Sequence, residues 1–223
     1  FGAINRMEVL TELSPSALSE ENLPEIEGFN RSIRHEPLGI VLNIAAWNYP
    51  LLIPVNIIAA VILAGNGVML KHSALTPLCG NVFERAFLSA GAPEYLMNSV
   101  IMDHATTEKI IQSGKIDHVA FTGSVNGGHR IHQVAASNFI DTGLELGDKD
   151  PAYIREDAAL EVAINSVMDG AFYNAGQSCC AVERIYVHHS RYEEFVYGAI
   201  QWLDAQIIGD PIDKSTTMGP LAK

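Results

Sequence analysis

Positive charge is scarce in this sequence. Lys and Arg together number 14 against 26 Asp and Glu, which leaves a formal net charge of −12 over 223 residues. Such a field opposes polyanionic partners, so binding to nucleic acid or to an anionic membrane surface is not expected. Cysteine is scarce too. There are three, Cys79, Cys179 and Cys180, and because two are adjacent and a vicinal bridge is strained, they cannot build a disulfide framework. A reducing compartment, the cytoplasm, is the expected setting. Long apolar runs are also missing: the longest, Leu51 to Ala64, is broken by Pro54 and Asn56 and falls short of the roughly 20 residues that cross a bilayer. No basic stretch followed by an apolar one opens the chain, which starts at Phe1-Gly2-Ala3 rather than at Met. The sequence is therefore expected to be an internal piece of a longer one, from which a targeting signal could have been lost.

What is present is enough apolar material for a core. Hydrophobic residues make up 48% of the chain, which suits one large or two modest domains. The acidic excess lies in residues 1–36 and 141–223, whereas 37–140 is balanced. From residue 38 onward short apolar runs alternate with helix-period stretches, the pattern of βαβ units around a mostly parallel sheet, so the fold class is α/β. The spacing predicts strands over 39–44, 68–71, 98–102, 118–121 and 184–188. It predicts helices from Tyr49-Pro50 to Gly65, from a Thr76 cap to Gly91, over 107–112, from the Gly123–Gly128 turn to Ala136, over 157–171, and from a capping box at Ser190 to about Ile207. Residues 1–37 are less regular, with an exposed strand at Arg31–Glu36. Gly143, Gly147 and Pro151 mark a composition break where one domain, 1–147, gives way to another, 148–223.

Several residues stand where chemistry is possible, each with a plainer alternative. Cys179 lies in a loop between a helix and a strand, accessible enough for a nucleophile, although cysteine is most often a small core residue. Glu145, between two leucines, would be partly desolvated and so raised toward the pKa of a general base; a solvated surface carboxylate is the alternative. Asn48 at a strand end could donate to an oxyanion or cap the helix that follows. The Gly123-Ser124 turn with Gly128 could offer backbone N–H groups to a phosphate, yet its spacing is not the Gly-x-Gly-x-x-Gly fingerprint. Lys71 at a strand end could contact a sugar or phosphate, or only solvent. His188 and His189 with the cysteine pair have the wrong spacing for converging metal ligands, so no metal is expected.

Taken in order, four segments resemble the aldehyde dehydrogenase superfamily. Trp47-Asn48-Tyr49-Pro50-Leu51 is similar to its oxyanion segment, Phe121-Thr122-Gly123-Ser124 with Gly128 to its cofactor turn, Glu145-Leu146-Gly147 to its general-base motif, and Gly176-Gln177-Ser178-Cys179 to its nucleophile loop. The resemblance runs from about Arg34 to Leu221. It implies a Rossmann-like parallel-sheet cofactor domain, 1–147, with an oligomerisation hairpin near residues 19–37, followed by the N-terminal part of an α/β catalytic domain. It also implies oxidation of an aldehyde to a carboxylic acid with NAD or NADP, in an enzyme that is a homo-oligomer at full length. Cys179 would attack the aldehyde, the Asn48 side chain and the Cys179 N–H would hold the oxyanion, and Glu145 would activate water. Trp47, Lys71, Gly123, Ser124 and Gly128 would contact the cofactor.

Two departures from the family pattern carry expectations of their own. Ala74 stands where many NAD-preferring members carry Glu, which makes a 2′-phosphate tolerable. Asp148 replaces the second of two successive glycines, and if that position needs positive φ it would strain the segment after Glu145. The competing readings are a truncated, non-catalytic nucleotide-binding or assembly module of the same fold, and a cysteine-dependent esterase without a cofactor.

Overall fold

The computed structural model describes residues 2–222 and divides into two compact units, one up to Leu146 and one from Gly147 onward. The first opens with helix α1 (Gly2–Ala17), in the stretch where the sequence shows little periodicity. Pro15 inside it removes one backbone donor, and the Ser14 hydroxyl donates instead to the orphaned Thr11 carbonyl at 3.1 Å. The short strands β1 (Glu21–Asn22) and β2 (Ser32–Ile33) then pair antiparallel and exposed.

The rest of this unit is a five-stranded parallel sheet. Its strands are β3 (Ile40–Ile44), β4 (Gly67–Lys71), β5 (Met97–Val100), β6 (His118–Thr122) and β7 (Asp141–Glu145), in the order β5-β4-β3-β6-β7. Helices α2 (Leu52–Leu63), α3 (Cys79–Ser89), α4 (His104–Gln112) and α5 (Val125–Ala136) make the crossovers. Alternation along β3 sends Leu42 and Ile44 to one face, with Ile111, Ile131 and Val134 from α4 and α5. Ala45 lies on the opposite face with Val55 and Ile58 of α2 and Phe83 of α3. Both faces are thus covered, as a parallel sheet requires. Full burial of each large side chain here, such as Leu42 or Leu70, contributes about 2 kcal/mol. The amino edge of the sheet is pinned by polar side chains: Asn66 Oδ1 accepts from the Leu38 and Gly39 N–H groups at 2.5 and 2.9 Å, and Asp117 accepts from the Ile40 N–H at 2.7 Å.

In the second unit β8 (Asp150–Ile154) pairs in parallel with β9 (Val182–Val187), and α6 (Leu160–Phe172) and α7 (Tyr192–Asp204) pack on them through Ile154, Leu160 and Phe195.

The glycine- and proline-marked stretch, in which the two units divide after Leu146, also holds the end of β7 and the start of β8, where pairing with β6 and β9 outweighs weak strand propensity. Three local expectations are corrected. Helix α3 begins three residues after Thr76, whose hydroxyl is instead 2.9 Å from His72 Nδ1. Helix α4 starts at His104 rather than Thr107, with Asp103 as its cap. Ser190 forms no capping box, since its hydroxyl pairs with His188 Nδ1.

Candidate active site

Sheet order decides where a ligand can enter the first unit. The chain runs β3, β4, β5 in one direction and then returns to place β6 on the other side of β3, so the crevice of a doubly wound sheet opens at the carboxyl ends of β3 and β6. Six of the eight residues singled out from the sequence lie at that edge. Trp47 and Asn48 follow β3, Lys71 ends β4, Gly123 and Ser124 follow β6, and Glu145 ends β7. The register fixes their levels: Ile44 is opposite Lys71 on one side and Phe121 on the other, and Thr122 is opposite Glu145. Backbone bonds clamp the strand ends, with the Ala45 N–H on the Lys71 carbonyl at 3.1 Å and the Gly123 N–H on the Glu145 carbonyl at 3.0 Å.

The side chains meet different environments. Trp47 and Asn48 are half-buried. Lys71 is only 6% exposed, and desolvation pulls its pKa below the usual lysine range. Its Nζ lies 3.4 Å from the His72 carbonyl, and no carboxylate is within ion-pair distance of it among the described residues. Ser124 caps α5 by accepting from the Gly127 N–H at 3.2 Å, which leaves earlier N–H groups of the first turn without intrahelical partners. The glycines here answer to internal packing. A Cβ on Gly123 or Gly127 would meet the Phe121 ring at 2.7 Å, and one on Gly128 would strike Leu146. Glu145 is exposed, against the expected desolvation, because strand alternation turns Leu144 and Leu146 to the core and Glu145 away from it.

Cys179 belongs to the second unit. The chain leaves α6 through Asn174, Ala175 and Gly176, all left-handed at φ 53°, 56° and 74°. For Ala175 that conformation costs about 1 kcal/mol, strain held just ahead of the cysteine. Hydrogen bonds keep the loop in place: the Gln177 amide nitrogen donates to the Asn174 carbonyl at 3.0 Å, its oxygen accepts from the Ala222 N–H at 2.7 Å, and the Cys179 carbonyl accepts from the Asp148 N–H at 2.8 Å. Asp148 is not strained. The positive φ, 91°, belongs to Gly147, and Asp148 is absent from the residues with left-handed backbone.

Residues 2–223 match the family model described as the aldehyde dehydrogenase family. The chain belongs to that family. Succinate-semialdehyde dehydrogenase [NADP(+)] of Deinococcus radiodurans is 34% identical over 95% of this chain and 44% of its own length. Betaine aldehyde dehydrogenase of Cereibacter sphaeroides is 36% identical over 96% of this chain and 44% of its own length. The NAD+ complex of an aldehyde dehydrogenase from Bacillus cereus superimposes with a TM-score of 0.94 at 32% identity, covering 100% of this chain and 45% of that one. The chain thus spans less than half the length of these aldehyde dehydrogenases.

Within this aldehyde dehydrogenase chain the thiol of Cys179 is pushed above its ordinary range, first by partial desolvation and then by Cys180 beside it. Alkylation of Cys179 by iodoacetamide, followed by peptide mapping, is therefore expected to speed up about tenfold per pH unit through the neutral range, without levelling below the ordinary thiol value of about 8.5. In Cys180→Ala the same curve is expected at lower pH. A plateau below neutrality in the unsubstituted protein would contradict this electrostatic picture.

Sequence reasoning did not single out His72, and no short window of sequence signals it, because its partner carbonyl at Pro50 lies in another element and is left without a helical donor by Pro54.

Proposed function

We propose that the protein containing this chain oxidises an aldehyde to a carboxylic acid with NAD+ or NADP+. The observation that carries the reading is Lys71, a nearly buried ammonium without a carboxylate partner among the described residues, at the ligand-binding edge of a doubly wound sheet. An anionic or polyhydroxylated ligand would offset its desolvation. Together with the first turn of α5 beyond Ser124, it forms a donor set that fits the ribose and phosphates of a dinucleotide. In this reading the unit ending near Gly147 holds the cofactor through Trp47, Lys71, Gly123 and Ser124. Gly128 lets α5 approach Leu146 closely enough to bring those N–H groups to the edge, and the unit from residue 148 supplies the nucleophile.

The residues then divide the reaction. The Cys179 thiolate forms a bond to the aldehyde carbon while the carbonyl electrons move to oxygen, where the Asn48 side-chain N–H and the Cys179 backbone N–H donate. A nicotinamide nucleotide held by Trp47, Lys71, Gly123 and Ser124 would supply the oxidant, as acceptor of the aldehyde hydrogen with its electron pair, and Cys179 would then carry a thioester. Glu145 takes a proton from water as that water adds to the thioester carbon; the carbon–sulfur bond breaks and Cys179 returns as thiolate. Asn48 suits its task because a neutral amide donates without titrating.

Nucleotide reduction by the intact protein with a panel of aldehydes, using NAD+ and NADP+ separately, tests the reading; a folded protein that binds neither nucleotide would sink it. The turn after β4 sets the preference between the two. Ala74 is exposed there, directly after Lys71, His72 and Ser73. Ala74→Glu adds a negative charge that repels a 2′-phosphate, so affinity for NADP+ is expected to fall about tenfold to a hundredfold while affinity for NAD+ holds or rises. Titration of both nucleotides by fluorescence checks this, and an equal effect on the two would contradict it.

A further inference from the structure

Helix α2 begins with a defect. In an α-helical turn the carbonyl of residue i accepts from the N–H of residue i+4. The Tyr49 carbonyl accepts from Ile53 at 3.0 Å and the Leu51 carbonyl from Val55 at 3.4 Å. The Pro50 carbonyl between them would look to residue 54, which is a buried proline with no N–H. A side chain from another element fills the vacancy: His72 Nε2 lies 2.8 Å from the Pro50 oxygen.

The other ring nitrogen fixes the tautomer. His72 Nδ1 accepts from the Ser73 N–H at 2.9 Å, with the Thr76 hydroxyl also 2.9 Å away. A backbone N–H can only donate, so Nδ1 carries no proton and Nε2–H is the donor to Pro50. Burial of the ring, 5% exposed, and the neighbouring Lys71 charge both favour this neutral form.

The consequence reaches the site. Pro50 ends the Trp47-Asn48-Tyr49-Pro50 segment, and His72 directly follows Lys71 at the end of β4. We propose that His72 is a positioning residue: its Nε2–H, donated to the Pro50 carbonyl that Pro54 leaves vacant, holds the Trp47–Pro50 segment and with it Asn48 against the end of β4. This inference rests on the oxyanion role proposed above for Asn48, but its geometric part can be read without turnover.

The test compares His72→Ala, His72→Gln, Asn48→Ala and the double variant His72→Ala/Pro54→Ala in the intact protein. His72→Gln keeps an N–H donor, and Pro54→Ala restores a backbone N–H four residues after Pro50. With isotope-labelled asparagine, the Asn48 side-chain amide is expected to shift and to exchange at least about tenfold faster in His72→Ala. It is expected to return toward its original position in His72→Gln and in the double variant. In step with this, kcat is expected to fall about tenfold to a hundredfold in His72→Ala, the scale of a small misplacement of a reacting group, while nucleotide affinity holds, and to recover in the other two. A merely structural role would lower stability without that split and without rescue by a donor at residue 54. An unmoved Asn48 amide in folded His72→Ala, or a double variant as impaired as the single, overturns the inference. If Asn48→Ala keeps full kcat while its amide in the other variants behaves as described, the positioning stands and the oxyanion role of Asn48 falls.

Discussion

Replacing Cys179 by alanine is expected to remove aldehyde oxidation almost entirely, by about 10⁴-fold or more in kcat/KM, because the proposed mechanism runs through a thioester on this residue. The substitution is small and the residue is exposed, so the fold and nucleotide binding should survive it. Cys180 offers an internal control. It is adjacent and also exposed, yet Cys180→Ala is expected to keep turnover and, by removing a neighbour that holds the Cys179 thiol up, to ease ionisation of Cys179. Steady-state rates for the two variants, measured beside nucleotide affinity, check this. Equal loss in both would shift the nucleophile assignment or point to a structural role for the pair.

The second large effect belongs to Glu145. Glu145→Gln keeps shape and hydrogen-bonding capacity but cannot take a proton, so steady-state turnover is expected to fall about 10²- to 10⁴-fold. The loss should fall on thioester hydrolysis. One equivalent of reduced nucleotide would then appear in a burst, and mass spectrometry would find the acyl group on Cys179. The backbone argues that the effect is chemical: Glu145 ends β7 with its carbonyl held by Gly123, and its side chain is exposed and outside the core. A variant that turns over normally, or that loses rate without any acyl adduct, would remove Glu145 from the hydrolytic step.

Much of the first unit was legible because its signals are local. Apolar strands such as Ile40–Ile44 and glycine-terminated helices follow from backbone preferences that a short window reveals. Strand β7 was not legible, since Asp141-Thr142-Gly143-Leu144-Glu145 has little strand character by itself and forms a strand by pairing along β6. That mattered for the site. Only the pairing places Glu145 at the same sheet edge as Lys71 and Gly123, and only strand alternation explains why it is exposed while its neighbouring leucines are not. Helix α1 was hidden for a similar reason, having no buried residue of its own and a proline near its end.

The candidate residues were legible through motif order, their surroundings less so. Cys179, Asn48 and Glu145 could be singled out by chemistry and sequence context. His72 could not, because its importance arises from a missing donor at Pro54 in another element, and a sequence window holds no trace of that meeting. Ala175 likewise reads as an ordinary residue and stands in a left-handed turn ahead of Cys179 in a segment held by Gln177 and Asp148.

The central claim is that this family member couples aldehyde oxidation to nucleotide reduction through Cys179. The most direct measurement is product stoichiometry: intact protein, one aldehyde and one nucleotide, with carboxylic acid and reduced nucleotide quantified together. The account expects equal amounts of the two, and neither from Cys179→Ala. Acid formed without reduced nucleotide, or undiminished production by Cys179→Ala, would contradict it.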